Sequence, residues 1–285
     1  MVQKPFQTDA YLPREMAQRV NEVGVTKAKM EFWSMLYLAI LAGSFIGLGA
    51  HFATLASANN GMPFSLSQLL AGLVFSLGLI LVIVAGAELF TGNNLIVMAY
   101  VSRKIGLRDV VRNWGIVLLG NTVGALITVG LIYLSGVWVL GSEAVGTRAI
   151  QIAAAKTNIS WLECFFRGVM CNALVCLAVW LCFSCRATVD KIIAIIFPIT
   201  AFVSMGFEHS IANLYFIPMG MLLSKLQPEL AARLANPAQS LDIPGFLGNL
   251  IPVTLGNIVG GTLMVGLVYW FIYLRGLSRI PNGDS

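Results

Sequence analysis

Long apolar runs separated by short charged segments dominate the sequence. Four runs without Asp, Glu, Lys or Arg are 56, 30, 18 and 32 residues long, and they begin after Glu31, Arg112, Arg167 and Asp242. A helix that crosses a bilayer needs about 20 apolar residues, so the first run is long enough for two such helices. Polar and helix-breaking residues at 57–63 divide that run. Membrane-spanning strands would instead alternate apolar and polar residues over about ten positions, which does not describe these runs.

This pattern predicts an all-α membrane protein with six transmembrane helices. We expect spans at residues 33–56, 65–87, 114–137, 161–184, 191–207 and 246–274. Two short half-helices are predicted after the second and fifth spans, near residues 94–103 and 213–223. The chain is then divided into an N-terminal amphipathic segment (1–30), a six-span transmembrane domain (31–276) and a C-terminal tail (277–285).

Composition and charge support a membrane location and give an orientation. Hydrophobic residues make up 58% of the chain and charged residues only 11%, whereas a soluble domain carries about 25% charged residues. Thirteen of the 18 Lys and Arg residues fall on the side of the predicted spans that holds both termini. By the positive-inside rule, both termini are expected in the cytoplasm, in a multi-pass protein of the inner membrane. The basic clusters flank apolar spans, so we expect them to contact the bilayer surface and not nucleic acid.

The segment 12–29 alternates apolar and charged residues with a helical period. Pro13 suits the first turn of a helix, and Gly24 suits its end. Two interpretations remain open at this stage. The helix either lies on the membrane surface or forms a movable cytoplasmic gate.

The cysteines and histidines do not predict a metal site. All five cysteines lie between Cys164 and Cys185, only Cys182 and Cys185 have Cys-x-x-Cys spacing, and the chain has only two histidines. Buried thiols act as small hydrophobic side chains, so we expect free cysteines, no metal and no cofactor.

An internal repeat relates the two halves of the chain. Residues 119–133 (LGNTVGALITVGLIY) and 255–269 (LGNIVGGTLMVGLVY) are identical at nine of fifteen positions. A weaker match pairs Gly, Glu and Asn of residues 85–95 with the same residue types in residues 205–215. Because each half holds three spans, an odd number, the second half is expected to insert upside down, giving two inverted three-helix repeats.

The repeated segments place a carboxylate at the end of an apolar span in each half. Glu88 and Glu208 are followed by polar residues and glycine instead of further apolar residues. Intramembrane carboxylates usually face a cavity or a charged partner. We therefore predict that spans two and five are broken helices whose half-helix N-termini favour an anion. His209, next to Glu208, is the candidate for a charge that switches near neutral pH; His51 is expected to be structural.

At these motifs the sequence resembles the formate/nitrite transporter family. The resemblance is carried by FSLGLIL from residue 75, AGAELFTGN from 85, AKT from 155, GFEHSIANLYFIPMG from 206 and NLIPVTLGNIVGG from 249, and it covers about residues 12–275. It implies a homopentamer of aquaporin-like protomers, each with its own pore for small monovalent anions.

The resemblance also implies roles for individual residues. His209 would be the central pore histidine, Thr91 its hydrogen-bonding partner and Lys156 an attractant for anions. Glu208, Asn172 and Asn213 would hold the broken segment in place. The apolar constrictions would be formed by Phe75, Leu79, Leu89, Phe90, Val175 and Phe202.

A small weak acid suits such a pore, because an anion that gains a proton near His209 can pass apolar constrictions as the neutral acid. Within the family, the resemblance is to the formate-channel members, which carry a long N-terminal segment and Asn-Leu-Ile-Pro-Val-Thr, as residues 5–29 and 249–254 do here. The resemblance therefore favours formate, with proton coupling. A nitrite or hydrosulfide channel of the same family is the alternative. A neutral-solute channel would need Asn-Pro-Ala motifs, which neither half has, and no Cys–His or Ser–His spacing supports an enzyme. The expected partners are formate, protons, the lipid bilayer and four further copies of the chain.

Overall fold

A computed structural model describes residues 10–58, 61–232 and 241–276, and within these ranges the chain is helical and contains no strand. The predicted tail at 277–285 and the first nine residues of the N-terminal segment lie outside the described residues.

The helices follow one another through short connections. A 3₁₀-helix spans Gly92–Ile96, another spans Val137–Val139, and a π-helical stretch spans Gly260–Leu267. The α-helices are α1 (Pro13–Ala28), α2 (Phe32–Ala56), α3 (Phe64–Ala85), α4 (Val97–Val101), α5 (Leu107–Leu134), α6 (Ala144–Thr157), α7 (Trp161–Ser184), α8 (Thr188–Ser204), α9 (Ser210–Leu226), α10 (Pro228–Ala232), α11 (Ile243–Val259) and α12 (Val268–Tyr273).

Five helical stretches in the described part of the chain are long and apolar enough to cross a membrane. They are α2, α3, α5, α7 and the continuous stretch Ile243–Tyr273, and they occupy five of the six predicted spans. At the predicted fifth span the structure has α8, which at 17 residues is shorter than these five. The predicted half-helices differ in length from the expectation, because α4 has only 5 residues and α9 has 17.

Helix α1 packs against the protein. Its apolar face buries Met16, Ala17 and Val20, and its contacts are with α4, α5, α7, α12 and the 3₁₀-helix Gly92–Ile96. The apolar face of this helix is therefore occupied by contacts with the protein, and whether the helix also lies at the membrane surface or acts as a gate stays a prediction. That face covers residues of α4 and of the 3₁₀-helix Gly92–Ile96 at one end of the helix bundle.

Two glycines bring the long helices into close contact. A side chain at Gly124 of α5 would collide with the carbonyl oxygen of Ile40 on α2. A side chain at Gly260 would collide in the same way with the carbonyl oxygen of Val169 on α7. The two glycines occupy the same position in the repeated segments. Small residues at such contacts let membrane helices approach at backbone distance.

Two further glycines end helices next to the centre of the molecule. Gly86 follows α3 with φ 83°, and Gly206 follows α8 with φ 71°. Both torsion angles lie in the left-handed region, which glycine adopts at little cost. The chain turns away from the helix at each glycine, and it carries Glu88, Thr91, Glu208 and His209 in the irregular segments that follow.

Candidate functional site

The two irregular segments meet in a contact between Thr91 and His209. The Thr91 Oγ1 and His209 Nε2 atoms are 2.9 Å apart. His209 Nδ1 accepts a hydrogen bond from the backbone N–H of Ala212 at 3.1 Å, so the side chain also caps α9. Both side chains are almost fully buried, with 0% of Thr91 and 2% of His209 exposed. The predicted pairing of these residues is thus present in the structure.

These contacts define where the imidazole proton lies. Because the backbone N–H of Ala212 can only donate, His209 Nδ1 must be the unprotonated nitrogen. Nε2 then carries the hydrogen and donates it to the hydroxyl oxygen of Thr91. The arrangement is that of a neutral histidine, and protonation of Nδ1 would require the Ala212 bond to break.

Lys156 lies in a buried polar cluster beside this contact. Its Nζ lies 2.7 Å from Glu208 Oε1, and the other carboxylate oxygen accepts from Asn213 Nδ2 at 2.7 Å. Asn249 accepts from Asn213 through Oδ1 at 2.7 Å, and it donates through Nδ2 to the Lys156 carbonyl oxygen at 2.9 Å. The carboxylate is therefore neutralised by one lysine and oriented by two amides, as a buried charge requires.

An equivalent cluster lies on the other side of the Thr91–His209 contact. Lys27 Nζ is 2.6 Å from Glu88 Oε1, whose partner oxygen accepts from Asn93 Nδ2 at 2.7 Å. Asn113 accepts from Asn93 at 3.0 Å and donates to the Lys27 carbonyl oxygen at 3.1 Å. Each residue of the first cluster thus has a counterpart of the same type, and these four contacts are repeated. Each cluster also has one bond of its own, from Lys27 to Asn93 Oδ1 at 3.0 Å and from Asn249 to Glu208 Oε2 at 3.2 Å.

Buried asparagines hold the irregular segments to the long helices. Asn121 donates to the carbonyl oxygens of Ala39 and Glu88 and accepts from the N–H of Phe90. Asn257, which occupies the same position in the sequence repeat, donates to the carbonyl oxygens of Gly168 and Glu208 and accepts from the N–H of Ser210.

Asn172 joins the two halves directly. It donates to the carbonyl oxygens of Thr91 and Asn257 at 3.3 and 2.6 Å, and to Asn94 Oδ1 at 2.7 Å. Its position fits the expectation that it braces the broken segments.

Two cavities approach the Thr91–His209 contact. The Lys156 cavity, about 250 Å³, reaches His209 and is lined at that depth by Phe75 and Phe202. The Lys27 cavity, about 300 Å³, is lined by Lys27 and Glu88 and reaches Leu79 and Leu89. Apolar side chains therefore line the inner end of each cavity, and His209 itself lines the Lys156 cavity.

The six residues expected to form constrictions are all buried, but they occupy different places. The Phe75 and Phe202 rings meet edge to face at 5.6 Å, and Phe202 lies 5.9 Å from the His209 ring. Phe90 and Val175 line neither cavity. The Phe90 ring packs against Trp114 instead, at 6.2 Å.

Several residues of the site were missed in the sequence. Lys27 was interpreted as one of the basic residues that contact the bilayer, and it lies instead against Glu88. No string of identical residues links its surroundings with those of Lys156. Asn121 and Asn257 carried a stronger signal, since they are the shared asparagines of the Leu-Gly-Asn repeat.

Comparisons with known proteins agree with this architecture. The family model described as formate/nitrite transporter matches residues 14–271. The formate channel FocA of Escherichia coli (strain K12) is 43% identical over 277 residues, which cover 95% of this chain and 96% of the relative.

Two solved structures resemble this chain closely. One, described as a pentameric formate channel with formate bound, is 44% identical with a TM-score of 0.79 and covers 86% of this chain and 98% of its own. The other, described as an FNT family ion channel, is 26% identical with a TM-score of 0.79 and covers 90% of this chain and 98% of its own.

Proposed function

Since the chain belongs to the formate/nitrite transporter family and is a multi-pass membrane protein, we propose that it is a channel through which formate crosses the membrane. The observation that carries this proposal is the arrangement around His209. Two cavities, each with a lysine–glutamate pair, approach one buried threonine–histidine contact, and apolar side chains line the inner end of each. Relatives that carry the name formate channel support formate over nitrite or hydrosulfide.

The proposed architecture is a pair of inverted three-helix repeats, with six transmembrane spans. In it, α3 with α4 and α8 with α9 form the two broken spans. The identical hydrogen bonding of Asn121 and Asn257 supports this symmetry. So do the left-handed glycines that follow α3 and α8.

The cavities would concentrate the anion, and the apolar residues would prevent it from passing with its hydration shell. An ion that leaves water for an apolar passage loses several kcal/mol of solvation unless it is neutralised or hydrogen-bonded. Phe75 and Phe202 would form the barrier beside the Lys156 cavity, and Leu79 and Leu89 the barrier beside the Lys27 cavity. Phe90 and Val175 would support these barriers from behind.

At the centre, formate would replace one partner of the Thr91–His209 contact. The Nε2–H of His209 would donate to a formate oxygen in place of the threonine hydroxyl. Complete transfer of a proton would require His209 to acquire a second proton at Nδ1 first, at the expense of the Ala212 hydrogen bond. Proton-coupled passage would therefore depend on pH through this one nitrogen.

The protein is further proposed to be a homopentamer of the inner membrane with both termini in the cytoplasm, without enzymatic activity. The described protomer exposes many large apolar side chains, among them Leu41, Leu126, Phe166 and Leu255. Lipid and neighbouring copies would cover them. A native mass spectrum of the detergent-solubilised protein should give a mass of five chains, and a stable trimer or tetramer would contradict this.

The test of function is anion flux into proteoliposomes that contain the purified protein. Stopped-flow experiments with formate, nitrite, hydrosulfide and acetate gradients should show the fastest uptake with formate. Protein-free liposomes provide the control for passive entry of the neutral acids. Rapid nitrite or hydrosulfide uptake without formate uptake would contradict the proposal in favour of another anion of the same family.

A further inference from the structure

The Lys156 cavity contains more positive charge than its carboxylate can neutralise. Three cationic residues line it, Arg148, Lys156 and Arg167, whereas Glu208 is the one acidic residue among its lining residues. Lys156 and Glu208 form an ion pair at 2.7 Å, so together they contribute no net charge. The net positive charge of the side chains that line this cavity therefore comes from the two arginines.

The two arginines differ in how far they are already paired. Arg167 lies 3.6 Å from Glu163, one turn away on α7, and 40% of its side chain is exposed. Such an exposed pair has little effect on stability but partly offsets the arginine charge. Arg148 forms no ion pair with any carboxylate of the described residues. It is the less compensated of the two.

Arg148 is held in a defined orientation. Its Nε donates to the hydroxyl oxygen of Ser57 at 3.1 Å. The Ser57 hydroxyl in turn donates to the carbonyl oxygen of Ala53 at 2.9 Å, at the end of α2. This contact occupies the Nε–H, and the described residues provide no hydrogen-bonding partner for the terminal Nη groups.

We propose that Arg148 forms a docking site for a small planar carboxylate in the Lys156 cavity. The inference rests on the proposed function, since the docked ion is the one that then travels toward His209. Two parallel N–H···O bonds from the terminal guanidinium nitrogens match the two oxygens of formate. The Ser57 contact fixes the plane of the guanidinium and so reduces the entropy lost on binding.

This geometry predicts selectivity among anions at the docking step. Formate and nitrite both present two oxygens in one plane, and both can form the paired contact. Hydrosulfide and chloride have no such pair and gain only from the charge. Removing Arg148 should therefore weaken entry of formate and nitrite more than entry of hydrosulfide.

The test measures initial formate flux into proteoliposomes as a function of formate concentration and ionic strength. For Arg148→Gln we expect the half-saturating formate concentration to rise by roughly tenfold or more, the loss of a charge-assisted hydrogen bond, with a weaker dependence on salt. Arg148→Lys keeps the charge but not the paired donors, so it should retain the salt dependence and still bind formate more weakly. Ser57→Ala should resemble Arg148→Lys.

Lys225→Gln provides the matched control, because Lys225 is an exposed cation on α9 that does not line the cavity. It should behave as the wild-type protein does. A folded Arg148→Gln protein with wild-type half-saturation and salt dependence overturns the proposal. An Arg148→Lys protein indistinguishable from wild type overturns the paired contact.

Formate binding, measured by ¹³C line broadening on the solubilised protein, separates failure of this inference from failure of the proposed function. Wild-type protein that binds formate through Arg148 without transporting it would contradict the proposed function alone. Wild-type protein that transports formate with no loss of binding in Arg148→Gln would contradict the docking site alone.

Discussion

His209 has hydrogen bonds on both ring nitrogens, and these bonds define what it can do. Ala212 donates to Nδ1, and Nε2 faces Thr91. A neutral imidazole in this position can donate one hydrogen bond to a passing anion without moving. It can deliver a proton only after Nδ1 is protonated, which is favoured as the pH falls.

Replacement of His209 by phenylalanine should therefore change the shape of the pH profile. Wild-type formate flux should rise as the pH falls, and the His209→Phe protein should lose this rise because no titratable side chain remains at the contact. His51→Phe is the matched control, since His51 pairs with Tyr215 and lines neither cavity. Stopped-flow flux between about pH 5 and 8 tests the difference, and a wild-type profile in His209→Phe would assign the histidine a purely structural role.

Asn121 should contribute strongly to stability. Asn121→Leu keeps the approximate volume but leaves two carbonyl oxygens and one N–H without their partner. Each unpaired buried group costs about 1 to 3 kcal/mol, so the thermal unfolding temperature in detergent should fall by several degrees. Thr122→Val on the same helix removes only a hydroxyl that bonds within α5, and it should have little effect. Equal unfolding temperatures for the two variants would contradict this role.

The sequence predicted the residues of the central contact but not all of their partners. Glu88, Glu208 and His209 stand out because charge is rare within apolar spans. Lys27 does not stand out, because basic residues are common next to such spans and nothing local distinguishes one that turns inward. Its partner is 61 residues away in the chain. Only the folded arrangement of α1 against the Gly92–Ile96 segment brings the two together.

At the scale of helices, α1 and α6 occupy corresponding positions. Each ends just after a lysine that pairs with a carboxylate, and each is followed by a long spanning helix. Helix α2 begins at Phe32, and α7 begins at Trp161, a few residues after the lysine in both cases. The proposed repeat therefore includes the helix that precedes each half. A boundary near residue 30, placed by composition alone, would separate α1 from the cluster that its lysine completes.

The backbone contacts between paired helices provide a prediction at this scale. Gly124→Ala would place a methyl group against the carbonyl oxygen of Ile40, and such overpacking typically costs about 1 to 3 kcal/mol. Gly115→Ala on the same helix meets no neighbouring atom and should be neutral or slightly stabilising, since alanine favours helix more than glycine does. Thermal unfolding of both variants in detergent tests this. A Gly124→Ala protein as stable as Gly115→Ala would show that α2 and α5 can separate at little cost.

At the scale of the whole molecule, the length of an apolar run predicts the number of membrane-crossing helices. It does not predict equally well where such a helix is interrupted. Five spans follow from uninterrupted runs of sufficient length. The segment around α8 is harder to assign from the sequence. An apolar run of 16 residues, 192–207, followed by Glu-His-Ser does not reveal where the helix stops. Gly206 at a left-handed φ ends it, and glycine at that position is equally compatible with a continuing helix.

The side of the membrane on which each end of the helical domain lies distinguishes the inverted repeat from other arrangements of the same helices. Six crossings place positions before α2 and after α12 on one side of the membrane, whereas five crossings place them on opposite sides. Cysteines introduced at Arg14 and Gly276, both exposed, should react with a membrane-impermeant maleimide only when the cytoplasmic side is accessible. A cysteine at Lys225 should react from the opposite side. The background should carry Cys185→Ser, because the other four native cysteines are buried. Labelling of the Arg14 and Gly276 positions from opposite sides would require an odd number of crossings, and the two halves could then not be related by inversion.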